Sequence, residues 1–120
     1  METILIVDDE KNYRLVLEAL LAPEGYEILT AENGSQGLAL VLESDLDLVI
    51  TDMKMPGMSG FTLKRKLLDQ LPDIKFIFVT GHGTLDQNGV PDQFDDIFLA
   101  KPLNIDTLID TILQRLHPDQ

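Results

Sequence analysis

Cysteine and tryptophan are both absent from the 120 residues. Without cysteine there is no disulfide framework, no thiolate chemistry and no Cys-ligated zinc, which suits a reducing compartment. Cations are scarce as well: nine Lys and Arg stand against 21 Asp and Glu, for a formal charge of −12. A nucleic-acid surface needs clustered cations that displace counterions, and this chain has too few of them. An anionic membrane would repel it for the same reason. No apolar run approaches the length of a membrane span. The first one, Ile4 to Val7, is flanked by acids rather than by the basic start of a signal peptide. The expectation is a cytoplasmic protein with no direct nucleic-acid binding and no membrane contact, whose partners are proteins with basic or mixed surfaces.

What is present is a core. Apolar residues make up 44% of the chain, and a domain of this size buries roughly two-thirds of its unfolded surface. A single domain spanning 1–120 is expected. Short β-rich runs alternate with longer helical periods, which predicts a doubly wound α/β fold: a five-stranded parallel sheet with helices on both faces. The strands are placed at Thr3–Val7, about Glu27–Ala31, Leu48–Thr51, Lys75–Thr80 and about Ile97–Ala100. The first helix carries Tyr13, Val16, Leu17, Leu20 and Leu21 on one stripe and stops at Pro23 and Gly25. Asn33-Gly34 signals a turn, and Leu38, Val41 and Leu42 mark the inner side of the second helix. Ser59 caps a third helix with Leu63, Leu67, Leu68 and Leu71 inward. Asn104 caps the last, whose stripe is Ile105, Leu108, Ile109, Ile112, Leu113 and Leu116. Between strands four and five, residues 84–96 hold Gly89, Pro91 and four aspartates. Only Leu85, Val90 and Phe94 there suit a core, so an irregular or shortened helix is expected.

In an open parallel sheet, ligands bind beyond the carboxyl ends of the strands, where strand order switches. Strand one ends in Asp8-Asp9, strand three in Asp52, strand four in Thr80 and strand five in Lys101-Pro102. A sheet ordered 2-1-3-4-5 brings these side chains to one edge. Two carboxylates about 5 Å apart repel by roughly 3 kcal/mol at an effective dielectric near 20. Three together favour a raised pKa or a bound cation, and one lysine cannot neutralise them. A hard divalent ion can, and Mg²⁺ suits a site with few protein ligands. With the cation on one side and Lys101 on the other, a phosphoryl group becomes tolerable, and an aspartate can attack it as an oxygen nucleophile.

Four segments in order, Ile-Leu-Ile-Val-Asp-Asp-Glu at 4–10, Leu-Val-Ile-Thr-Asp-Met-Lys-Met-Pro-Gly-Met-Ser-Gly at 48–60, Phe-Val-Thr-Gly-His-Gly at 78–83 and Phe-Leu-Ala-Lys-Pro at 98–102, resemble the receiver domain of bacterial response regulators, which has the flavodoxin-like form of this fold. The resemblance covers nearly the whole chain. It implies that Asp52 is the phosphoacceptor, with Asp8, Asp9, Asp52 and the backbone carbonyl of Lys54 holding Mg²⁺. It implies that Lys101 pairs with the phosphoryl oxygens, that Thr80 turns toward them after transfer, and that Phe98 is the switch aromatic. A cis peptide before Pro102 follows from it too.

The partners it implies are a sensor histidine kinase or phosphotransfer protein, an output domain in the same full-length chain, and a second copy in a homodimer. The activity implied is a phosphorylation switch that catalyses its own phosphotransfer and slow autodephosphorylation, not turnover of a separate substrate. The alternative is a phosphate-independent interaction module on the same fold. A Mg²⁺ phosphatase would need a second acid beside the nucleophile and a substrate cap, and neither is seen. The chain departs from the family pattern at Phe94-Asp95, where Gly-Ala is usual, and at Gly81, where alanine is commoner. His82 and Lys54, each two residues beyond a site residue, are candidates for tuning acyl-phosphate hydrolysis. His117 is read as a surface charge at a helix end.

Overall fold

A computed structural model describes residues 1–41, 43–81 and 97–118 of the chain. Leu42, His82 and the 84–96 segment expected to hold a short or irregular helix lie outside the described residues. Five parallel strands form one sheet: β1 (Thr3–Val7), β2 (Glu27–Ala31), β3 (Leu48–Asp52), β4 (Lys75–Thr80) and β5 (Ile97–Ala100). Their order is β2-β1-β3-β4-β5. Each strand falls where the sequence places it, except that β3 runs one residue further and ends on Asp52 itself.

Strand alternation divides the core in two. Ile4, Ile6, Leu48, Ile50, Ile77 and Val79 face one way and pack with helices α1 (Lys11–Leu21) and α4 (Ile105–Leu116). Leu5, Val7, Val49, Phe76 and Phe78 face the other way and pack with α2 (Gly34–Val41) and α3 (Gly60–Leu68). Both sheet faces are covered, so β1, β3 and β4 read as nearly unbroken apolar runs.

Local chemistry sets the helix ends. The Ser59 hydroxyl accepts from the Thr62 amide at 3.2 Å, and the Asn104 carbonyl oxygen accepts from Thr107 at 3.0 Å, both as the sequence predicts. Asn33 does more than turn the chain: its side chain accepts from the Gln36 amide at 2.8 Å and opens α2. After α1, a 3₁₀ turn at Ala22–Glu24 closes on Gly25 at φ +97°, a left-handed conformation that favours glycine.

Two helical stripes need correction. In α1, Leu17 and Leu21 are buried, but Val16 and Leu20 are 54% and 42% exposed. In α4, Leu108 and Ile112 are buried while Leu113 faces out. Three-and-four spacing marks an apolar arc wider than the strip a flat sheet can cover. The residues on its rim keep their apolar character in water. Among the described residues, no helix is long and apolar enough to cross a membrane.

Candidate functional site

Register brings the charged residues together. Val7 pairs with Thr51, so Asp8 and Asp52 follow side by side on adjacent strands. Each lies two residues beyond an isoleucine that faces α1 and α4, and the period of two carries both carboxylates to that face. β4 pairs Thr80 with Ala100, and Lys101 follows Leu99 onto the same face. Its amide donates to the Thr80 carbonyl at 2.8 Å. The Lys101-Pro102 peptide is cis, as the resemblance implies.

The three carboxylates meet. Asp8, Asp9 and Asp52 each offer an oxygen within 4.8 Å of the others. The Lys101 ammonium donates to Asp8 at 3.0 Å and to Asp52 at 3.5 Å. Glu10 lies 3.8 Å from it on the solvent side. Asp8 is only 2% exposed. One oxygen accepts from the Glu10 amide at 2.9 Å, and the other takes Lys101. Asp9 is exposed and does not cap α1; the N-cap position is Glu10, with no side-chain cap bond. Asp9 instead borders an open cleft of about 480 Å³ with Glu32, Asn33, Ser35, Pro56 and Met58.

The charges strain against burial. Burial pushes the Asp52 carboxyl above its ordinary value; Lys101 pulls it down, and Asp8 pushes it up again. Burial alone would lower Lys101, but the hydrogen bond and charge of Asp8, then the charges of Asp52 and Glu10, hold it above the usual lysine value. Three acids and one ammonium remain short of neutrality. The donor set is all oxygen, and that composition fits a hard divalent cation such as Mg²⁺.

The loop after β3 is fixed by close approach. The Lys54 amide lies 3.4 Å from an Asp52 carboxylate oxygen. Gly60, at the start of α3, sits against the Asp52 carbonyl: a Cβ there would lie 2.6 Å from that oxygen. Gly57 takes φ +85°. Gly60 was readable in the sequence only as a helix start.

Thr80 and Phe98 are placed differently. Alternation puts Thr80 with Phe76 and Phe78, on the face toward α2 and α3. The residue is fully buried, and its hydroxyl has no hydrogen-bond partner among the described residues. Phe98 is half-buried, stacked on Phe78 with centroids 5.4 Å apart and edge-on to Phe61 at 6.0 Å. His117 lies elsewhere, at the end of α4, with its ring nitrogen 2.6 Å from Glu2.

Sequence reasoning missed two neighbours of the acids. The Arg14 guanidinium donates to the Asp8 carbonyl at 2.6 Å. Tyr13, read only as a core residue, places its ring 4.2 Å from the Lys101 ammonium. An aromatic or cation one turn beyond an acidic strand end was the signal available, and a weak one.

Residues 4–113 match the family model described as the response regulator receiver domain. The chain is 39% identical over 118 residues to sporulation initiation phosphotransferase F of Bacillus subtilis, covering 96% of this chain and 94% of that protein. It is 34% identical over 119 residues to transcriptional regulatory protein GlrR of Escherichia coli, where it covers 96% of this chain and 27% of the relative. The chain thus spans nearly all of one relative and about a quarter of the other. Among solved structures, a response regulator receiver domain protein of Clostridium thermocellum superposes with a TM-score of 0.84 at 32% identity, covering 98% of this chain and 96% of that one. Response regulator TrrA of Thermotoga maritima, solved in complex with Mg²⁺-BeF, gives 0.82 at 36% identity, covering 97% and 100%.

Proposed function

This chain belongs to the response regulator receiver domain family, and from that membership we propose that Asp52 accepts a phosphoryl group and that residues 1–120 form one receiver domain. The observation that carries the reading is the meeting of Asp8, Asp9 and Asp52 within 4.8 Å, with Lys101 bonded to Asp8 and Asp52. Asp8, Asp9, Asp52 and the Lys54 carbonyl would hold Mg²⁺, which supplies charge neutralisation at the transferring phosphoryl group when bound.

The chain's own residues do the rest. An Asp52 oxygen attacks phosphorus in line, forming an O–P bond as the donor's P–N bond breaks. The electron pair stays on the departing imidazole nitrogen, which takes its proton from solvent. Lys101 lies on the sheet edge where the phosphoryl oxygens arrive and matches their charge. Thr80 has a buried hydroxyl with no hydrogen-bond partner among the described residues, suited to a new acceptor at the end of the neighbouring strand, where Asp52 stands. Its movement would open space for Phe98, whose half-buried ring rests on Phe78 and Phe61. Phosphate would thereby shift an equilibrium between two packings of one face.

The donor is read as a sensor histidine kinase or phosphotransfer protein. The exposed Leu15, Val16 and Leu20 of α1 offer it an apolar surface beside the acids. Such a domain is a cytoplasmic switch rather than an enzyme that turns over a separate substrate. An output domain in the full-length chain and a homodimer are its further expected partners. The complete acid, hydroxyl and lysine set argues against a phosphate-independent module. Incubation with acetyl phosphate and Mg²⁺, read by intact mass, should add one phosphoryl group to the wild type and none to Asp52→Asn. An adduct that persists in the variant would place the acceptor elsewhere.

A further inference from the structure

Tyr13 stands in the first turn of α1, with the Lys101 ammonium 4.2 Å from the centre of its ring. A cation within about 6 Å of a ring face is attracted by the ring's quadrupole. The Tyr13 hydroxyl, by contrast, is buried with no hydrogen-bond partner among the described residues. No hydrogen bond of the phenol therefore explains its place beside the acids. The ring also packs on the apolar cluster beneath α1 and α4, a task that an aliphatic side chain would perform as well.

Among the described residues, the other partners of Lys101 are the carboxylates of Asp8, Asp52 and Glu10. Two of these belong to the group that would turn toward a cation, and all three repel an incoming phosphoryl group. The ring differs on both counts. It carries no net charge, it binds no cation of the acid cluster, and it attracts the ammonium from one side only. The ring is no hydrogen-bond acceptor in the plane of the acids, so the N–H bonds now given to Asp8 and Asp52 can pass to phosphoryl oxygens without losing it.

We propose that Tyr13 is a positioning residue, whose ring face holds the Lys101 ammonium toward Asp52 for its meeting with the phosphoryl oxygens. The proposal rests on the phosphoacceptor reading of Asp52 given above. It acts through the ring, so phenylalanine serves and leucine does not.

The test compares wild type, Tyr13→Leu, Tyr13→Phe, Lys101→Met and the Tyr13→Leu/Lys101→Met double variant. In metal-free protein, ring current should shift the Lys101 Hε protons upfield in wild type and Tyr13→Phe, and leave them at ordinary positions in Tyr13→Leu. With acetyl phosphate and saturating Mg²⁺, Tyr13→Leu should be modified about fivefold more slowly. Its half-saturating Mg²⁺ concentration should be unchanged. Tyr13→Phe should restore the rate, and Tyr13→Leu should cost nothing further once Lys101 is gone.

A wild-type rate in Tyr13→Leu, an equal loss without Lys101, or a Tyr13→Phe as slow as Tyr13→Leu overturns the proposal. Should Tyr13→Leu not fold, Tyr13→Met takes its place with the same expectations. If the wild type takes no phosphoryl group, the phosphoacceptor reading has failed. The proton shifts then decide the contact by themselves, and unshifted Lys101 protons in wild type overturn it.

Discussion

Lys101 and Asp8, 93 residues apart in the chain, are joined by a 3.0 Å hydrogen bond between an ammonium and a carboxylate that is almost wholly buried. A buried carboxylate stripped of its partner is strongly destabilising. Lys101→Met should therefore lower the stability of metal-free protein by about 1–3 kcal/mol, read from urea unfolding in chelator. Mg²⁺ should recover most of that loss, because a cation can replace the ammonium beside Asp8. The variant should also bind Mg²⁺ more tightly than wild type, since one competing positive charge has been removed. Weaker Mg²⁺ binding in the variant would mean that Lys101 supports the cation site instead of competing with it.

The raised pKa of Asp52 makes a prediction about pH. Its proton is held more tightly in the fold than in the unfolded chain, with burial the main cause. The protonated form thus favours folding, and that contribution is lost as pH rises from the ordinary value of 3.8 through the higher folded one. In chelator at pH 7, Asp52→Asn should be more stable than wild type. The difference should close as pH falls toward 4 and Asp52 takes up its proton. Urea midpoints of both proteins across that range measure it. Mg²⁺ at pH 7 should reverse the order, because only the wild type offers the third carboxylate.

Helix α1 separates what burial decides from what composition suggests. Leu17 is 3% exposed and Leu20 is 42% exposed, although both belong to one apolar stripe. Leu17→Ala should cost about 2–5 kcal/mol of stability, and Leu20→Ala should cost under about 1 kcal/mol. Denaturant unfolding of the two variants checks this directly. Similar losses would mean that Leu20 is covered in solution.

The same helix shows why the fold was legible and parts of the site were not. Strand positions follow from unbroken apolar runs, because a sheet covered on both faces leaves few polar choices. Asp8, Asp52 and Lys101 were legible because each breaks such a run at its carboxyl end. Which members of a stripe stay exposed depends on the neighbour's shape, which periodicity does not encode. Tyr13 was hidden for a related reason: a ring on an apolar stripe looks like core, and only the register of β5 brings Lys101 to its face. The Asp52 carbonyl's need for a bare Gly60 is likewise a tertiary distance, with no local signature.

Gly60 ties packing to chemistry. A methyl group there would lie 2.6 Å from the Asp52 carbonyl oxygen, 3.2 Å from the Met53 Cα and 3.3 Å from the Phe78 ring. The first two neighbours are backbone and cannot rotate away. The Gly60 amide also donates to the Met53 carbonyl at 2.9 Å, so α3 cannot slide outward without losing that bond. Gly60→Ala should therefore cost about 1–3 kcal/mol, the range for overpacking a tight interior. Because the displaced atom belongs to Asp52, the carboxylate should move with it. Modification by acetyl phosphate should then slow by more than tenfold even at temperatures where the variant is fully folded, since small misplacements of a reacting group are expensive. Urea unfolding and intact mass on the same sample separate the two effects. A variant that loses stability yet phosphorylates at the wild-type rate would show that the β3–α3 loop absorbs the clash without moving Asp52.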